Sequence, residues 1–186
     1  LPILGDISSV DINNGNLIWQ IPTQSSLAFD AGFFLKTSDI VVEKNALFFS
    51  NNQNEFFSLD AQTGNLNWKQ EINSNLRPVI INDLIFTVTL EGYLVIVEKN
   101  SGNIVRSNYL LNQFKKKKRP DIEPTGFIIG NKNIYLSNNI GRLSVIDIAT
   151  GVTRNILKID NKKISRPAIF NKNLYIISNN SIIKLD

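Results

Sequence analysis

The chain is 186 residues long, 42% hydrophobic, and carries a formal charge of only +4. It contains no His and no Cys, which removes the commonest metal ligand and general base, any disulfide framework and any thiol chemistry; the small net charge argues for no nucleic-acid partner. No run approaches the length of a membrane-spanning helix, no signal peptide is visible, and a chain that starts Leu1-Pro2 and lacks Met reads as a trimmed piece of a longer protein.

Asn and Ile are both abundant. Ile suits a pleated, half-buried surface and Asn suits tight turns, so many short strands are expected. In chain order the apolar runs predict strands at residues 6–10 and 16–21, then 39–42, 46–50, 55–59 and 65–72. They continue at 78–81, 84–89, 93–97 and 103–109, then at 126–129, 133–137, 142–146 and 152–159. The last three are 167–170, 173–178 and 181–185.

These strands belong to a repeat. One phrase recurs over residues 5–15, 54–64, 92–102 and 141–151, and a truncated copy closes the chain at 180–186. Its acidic residue falls at Asp11, Asp60, Glu98, Asp147 and Asp186, with steps of 49, 38, 49 and 39 residues. The short step holds four strands plus turns, the size of one propeller blade. The fold class read from the chain is therefore all-β. It consists of about four four-stranded antiparallel β-propeller blades in a single segment, residues 1–186. A third-strand sequence stands at both ends of the chain, at 6–10 and at 181–185. That duplication predicts an open arc cut from a larger array rather than the alternative, a closed four-bladed ring, and the two edges of an arc invite self-association.

The acids that mark the phase are turn residues. An Asp that opens an Asp-x-x-Thr-Gly segment can accept nearby backbone N–H groups, and the Gly supplies positive φ. No catalytic, metal-binding or cofactor-binding residue is assigned to them. Trp19 and Trp68 each lie four residues beyond the repeat Gly, where a large ring packs against the next blade. Arg106 and Asn155 hold the matching places, so those junctions are expected to be weaker or built differently.

Both long steps carry an insertion between the fourth strand of one unit and the first of the next. Residues 23–38 bring Leu27, Phe29, Phe33, Phe34 and Leu35; residues 107–124 bring Lys115, Lys116, Lys117, Lys118 and Arg119. Insertions at one phase mark the binding face of a repeat protein. Phe29, Phe33, Phe34 and the basic run 115–119 are thus the candidate partner-binding residues, an apolar patch and a basic patch on one surface. The basic run suits an acidic partner or anionic lipid headgroups.

The run Phe57-Ser-Leu-Asp60-Ala-Gln-Thr-Gly64-Asn-Leu-Asn-Trp68 and the strand Asn173-Leu-Tyr-Ile-Ile-Ser178 resemble the PQQ-like repeat family over essentially the whole chain. Within it, residues 39–105, including Glu91-Gly92-Tyr93-Leu94, are most similar to the C-terminal half of the BamB group of outer-membrane assembly factors. That resemblance implies a non-enzymatic, periplasmic protein-binding scaffold that supports assembly of outer-membrane β-barrel proteins. It implies that the chain is about half of an eight-bladed propeller, with the barrel-assembly machine as protein partner and outer-membrane association through an N-terminal region of the parent protein; peripheral contact with an anionic membrane is what the basic run adds. The lipid-bearing N-terminal Cys of that group has no counterpart among these residues. Two alternatives accompany this reading. One is a quinoprotein (PQQ-dependent) dehydrogenase, which would need converging Glu, Asn and Asp ligands for quinone and Ca²⁺. The other is a ligand- or glycan-binding sensor propeller with Phe34 or Tyr93 in its groove.

Overall fold

The computed structural model describes residues 6–23 and 35–185. They fall into two compact units, Leu1–Asn75 and Leu76–Asp186. In the first unit β1 (Asp6–Val10) pairs with β2 (Leu17–Pro22), and β3 (Val41–Glu43), β4 (Ala46–Asn51), β5 (Glu55–Asp60) and β6 (Leu66–Gln70) form a four-stranded sheet. The second unit holds two four-stranded sheets and a three-stranded one. They are β7 (Val79–Ile81), β8 (Leu84–Val88), β9 (Tyr93–Glu98) and β10 (Ile104–Tyr109); β11 (Pro124–Gly130), β12 (Asn133–Asn138), β13 (Arg142–Asp147) and β14 (Thr153–Lys158); and β15 (Ala168–Phe170), β16 (Asn173–Ser178) and β17 (Ser181–Leu185). Every pairing is antiparallel and each sheet keeps sequence order. These are the expected blade-like meanders.

The hairpins form because the turn residues accept left-handed backbone. Asn82, Asn131 and Asn171 have φ of 54°, 46° and 48°, a region that Asn enters at little cost. Three first strands start later than the sequence suggests: β3 at Val41, β7 at Val79 and β15 at Ala168. Pro78 and Pro167 have no N–H to give a ladder. Ser38 and Ser165 replace strand pairing with their own hydroxyls. Ser38 N–H donates to Ser50 O at 2.8 Å while its Oγ accepts from Ser50 N–H at 3.0 Å. Ser165 repeats this against Ile177, at 2.9 and 2.8 Å.

Each third-to-fourth strand pairing carries a β-bulge at the same place. Ile18, Asn67, Val105 and Arg154 are skipped, so Trp19, Trp68, Arg106 and Asn155 fall opposite Ser9, Ser58, Ile96 and Val145. A bulge turns the next side chain and increases local twist. Here it aims the residue four beyond the repeat Gly.

The core lies between sheets. In the first unit Ile7 of β1 packs with Leu47, Phe49, Phe57 and Leu59 of β4 and β5. In the second, Phe86, Val88, Leu94 and Ile96 meet Phe127, Ile134, Leu136 and Ile146 across the β7–β10 and β11–β14 sheets. Leu143, Ile164, Leu174 and Ile176 do the same between the last two sheets.

Candidate functional site

The acids that mark the repeat are bound into their turns. Asp60 Oδ1 accepts from Gln62 N–H at 2.9 Å, Thr63 N–H at 2.8 Å and Thr63 Oγ1 at 3.0 Å. Asp147 Oδ1 accepts from Thr150 N–H and Oγ1 at 2.8 and 2.9 Å, and Arg154 donates to its other oxygen. The Thr N–H and hydroxyl in each turn hold both carboxyls below their ordinary pKa. Gly64 and Gly151, at φ +76° and +73°, close the turns by donating to Asp60 O and Asp147 O. The same closure joins Gly15 to Asp11 O and Gly102 to Glu98 O. Among the described residues, no three acids converge into a group able to hold a metal ion. Among the described residues, no helix is long and apolar enough to cross a membrane.

Two of the residues four beyond the repeat Gly, Trp19 and Arg106, grip the following blade. Trp19 Nε1 donates to Ala61 O at 3.2 Å, and its ring lies against Gly64. Arg106 is built differently, as its identity implies. Its guanidinium donates to the carbonyls of Ile148, at 2.6 Å, and Ala149, the matching turn of the next sheet. Trp68 is buried against Phe48 and Phe56 within its own sheet. These contacts build the framework.

The two insertions occupy the fourth-to-first connections. Phe29, Phe33 and Phe34 lie outside the described residues. The described end of that insertion is clamped by Asn52: Lys36 N–H donates to Asn52 Oδ1 at 2.8 Å, and Asn52 N–H returns to Lys36 O at 3.0 Å. Asn139 repeats the clamp on the second insertion. Glu123 N–H donates to Asn139 Oδ1 at 3.0 Å, Asn139 N–H donates to Glu123 O at 3.0 Å, and Asn139 Nδ2 donates to Asp121 O at 2.9 Å. Sequence reasoning missed both clamps, although each sits in the string Ser-Asn-Asn, at 50–52 and 137–139.

The second insertion folds into two 3-10 turns, Leu111–Gln113 and Lys116–Asp121. Leu110, Leu111 and Ile122 are buried beneath it, and Leu111 packs against Gly92, where a Cβ would stand 2.6 Å from its Cγ. Arg119 ties the loop to itself. Its Nε donates to Phe114 O and its NH2 to Asn112 O, both at 2.9 Å, and its guanidinium lies over the Tyr109 ring. Lys115, Lys116, Lys117 and Lys118 are exposed, and no described acid pairs with them. The structure thus separates the basic run into one fastening cation and four displayed ones.

The family profile described as outer membrane protein assembly factor BamB, a PQQ-type profile, matches residues 4–108. The outer membrane protein assembly factor BamB of Legionella pneumophila (strain Paris) is 22% identical over 148 residues, 78% of this chain and 33% of that protein. The chain therefore spans about a third of the length of that curated relative. Among solved structures, BamB from Moraxella catarrhalis aligns with a TM-score of 0.64 and 15% identity over 97% of this chain and 66% of that chain. The beta-propeller domain of Cps50 (Swd1) from Myceliophteria thermophila gives 0.69 and 12% over 94% and 55%. At such identities the likeness concerns fold, and it makes the four-stranded sheets propeller blades. With more than half of its residues matched by the family profile, the chain belongs to the BamB family of PQQ-like repeat proteins.

Proposed function

We propose that this chain is a run of propeller blades acting as a non-enzymatic protein-binding scaffold in the assembly of outer-membrane β-barrel proteins, on the periplasmic side of the outer membrane. The observation that carries the reading is the family match over residues 4–108. The fate of the repeat acids supports it, since Asp60 and Asp147 each spend Oδ1 on their own turn, and Oδ2 accepts from Asn45 and Arg154 respectively. A scaffold needs rigid blades and displayed loops, and the fourth-to-first insertions supply the loops. Partner contact is assigned to them: protein contact to Phe29, Phe33 and Phe34 in the first, and contact with an acidic partner or anionic headgroups to the basic run in the second.

The test is capture from envelope extracts with the purified chain as bait, followed by identification of the bound proteins. Recovery of a β-barrel-assembly protein, lost when the insertions are replaced by short Gly-Ser linkers, is the expected result. Recovery of glycan without such a protein overturns the scaffold reading and favours a sensor propeller.

A further inference from the structure

The modest net charge conceals two units of opposite sign. Unit Leu1–Asn75 has three Lys and Arg against eight Asp and Glu, a net of −5; unit Leu76–Asp186 has seventeen against eight, a net of +9. The excess in the second unit is concentrated at one end of its sheets. The β12–β13 turn, residues 138–141, is flanked by two connections. On one side Asn139 binds Asp121 O and Glu123 of the β10–β11 connection. On the other, Asp160 N–H donates to Gly141 O at 3.1 Å, Ile164 N–H donates to Asn138 O at 3.4 Å, and Arg142 donates to Asp160 O at 2.6 Å. A Cβ on Gly141 would stand 2.7 Å from Lys162 O, so that connection is pressed against the turn. The first connection displays Lys115, Lys116, Lys117 and Lys118, and the second displays Lys162 and Lys163, all exposed. The acids there are Asp121, Glu123 and Asp160, with Glu91 exposed on the β8–β9 turn against which Leu111 packs. Asp160 is engaged by Ser178 and Asn179 as well as attracting Lys162.

We infer that these two connections form a docking face for an anionic phospholipid surface. The chemistry of the displayed cations selects that occupant. All six are lysines, compact hydrated charges without preferred pairing geometry, whereas Arg119, the cation suited to a desolvated protein interface, is spent on backbone carbonyls. Among the described residues, no exposed large hydrophobic lies in either connection, so the face lacks the aromatic or aliphatic anchor on which protein interfaces are centred. An array of mobile point charges suits a plane of headgroup phosphates, whose potential reaches about one Debye length into solution.

The experiment uses the 186-residue chain and vesicles, with no partner protein, so its failure is distinct from failure of the scaffold reading. Binding is measured by co-flotation with vesicles of about 30% phosphatidylglycerol in phosphatidylcholine, and with pure phosphatidylcholine, at about 50 mM salt. The expected result is binding to the anionic vesicles alone. It should fall about tenfold in a variant with Gln at 115–118 and several-fold in Lys162→Gln/Lys163→Gln. The control Lys132→Asn/Lys172→Asn removes two lysines from the β11–β12 and β15–β16 turns, and it should change binding less than about twofold. Absence of binding to anionic vesicles overturns the inference, as does an equal loss in the control. Capture of the chain by immobilised poly-glutamate, without vesicle binding, also overturns it and assigns the face to an acidic protein. All six target lysines are exposed, and unchanged circular dichroism and thermal melting confirm that each variant is folded.

Discussion

Trp19 and Gly64 are in such close contact that a Cβ on Gly64 would stand 2.9 Å from the indole ring. The ring roofs the Asp60–Gly64 turn and also donates from Nε1 to Ala61 O. Gly is required there twice over, for φ +76° and for the space beneath the ring. Gly64→Ala is expected to destabilise the first unit by about 1–3 kcal/mol, and Trp19→Ala by about 2 kcal/mol, below a fully buried Trp because the residue is only partly buried. In the double variant the cost of Gly64→Ala should shrink to its backbone part. Urea titration of the four proteins measures that coupling, and strict additivity would show that ring and turn do not touch.

Arg106 tests whether a polar grip can replace an indole. Its guanidinium satisfies two carbonyls, those of Ile148 and Ala149. Arg106→Ala strands both and should cost about 1–3 kcal/mol. Arg106→Lys, with one compact donor group, should recover part of that. A melting temperature unchanged in Arg106→Ala would remove the grip.

The lowered carboxyl pKa values of Asp60 and Asp147 set an acid limit. A group depressed in the folded state contributes its stability above its unfolded value, and that contribution is lost as pH falls through the folded value. Thr63 N–H and then its hydroxyl depress Asp60; Thr150 does the same for Asp147. The urea midpoint should therefore decline below about pH 4. Asp60→Asn and Asp147→Asn should each flatten the decline while lowering the midpoint at about pH 7. A variant with the parental slope would place the acid sensitivity elsewhere.

How much of this was legible in the sequence depends on the range of the interaction. Turns closed by residues four apart, such as Asp60 and Gly64, write their chemistry into adjacent letters. β1, β16 and β17 likewise match their apolar runs residue for residue. The bulge that skips Ile18, Asn67, Val105 and Arg154 left no such mark, because it is set by register between strands. The clamps of Asn52 and Asn139 were hidden for a related reason: their partners Lys36 and Glu123 lie sixteen residues upstream. An Asn beside a turn reads as a turn former whether or not its amide reaches elsewhere. The basic run was legible as charge. That Arg119 faces inward while its four neighbours face out follows from Phe114, Asn112 and Tyr109, contacts that composition does not encode.

Asn139 gives a prediction about assembly of the second insertion. Its amide satisfies Glu123 N–H and Asp121 O together, so Asn139→Ala should cost about 1–2 kcal/mol. Asn139→Asp keeps the acceptor and loses the donor, so it should sit between. Amide hydrogen exchange at Glu123 should accelerate in Asn139→Ala and stay slow in Asn139→Asp; equal rates in the two would assign the fastening to backbone pairing alone.

Arg119 separates the fastening of the basic loop from its charge. Arg119→Ala removes two carbonyl contacts and the stack on Tyr109, while the buried anchors Leu110, Leu111 and Ile122 remain. The loop should open locally and the sheets should not. Local opening governs proteolysis when reclosing is faster than cleavage. Trypsin cleavage after residues 115–118 is therefore expected to accelerate about tenfold, matching the loss of about 1.4 kcal/mol of local stability, with little change in the urea midpoint of the whole chain. Arg119→Lys keeps the charge without the two-pronged geometry and should cleave nearly as fast as Arg119→Ala. If instead the loop of Arg119→Lys were as well protected as that of the parent chain, charge alone would hold it closed, and the fork of hydrogen bonds would be incidental.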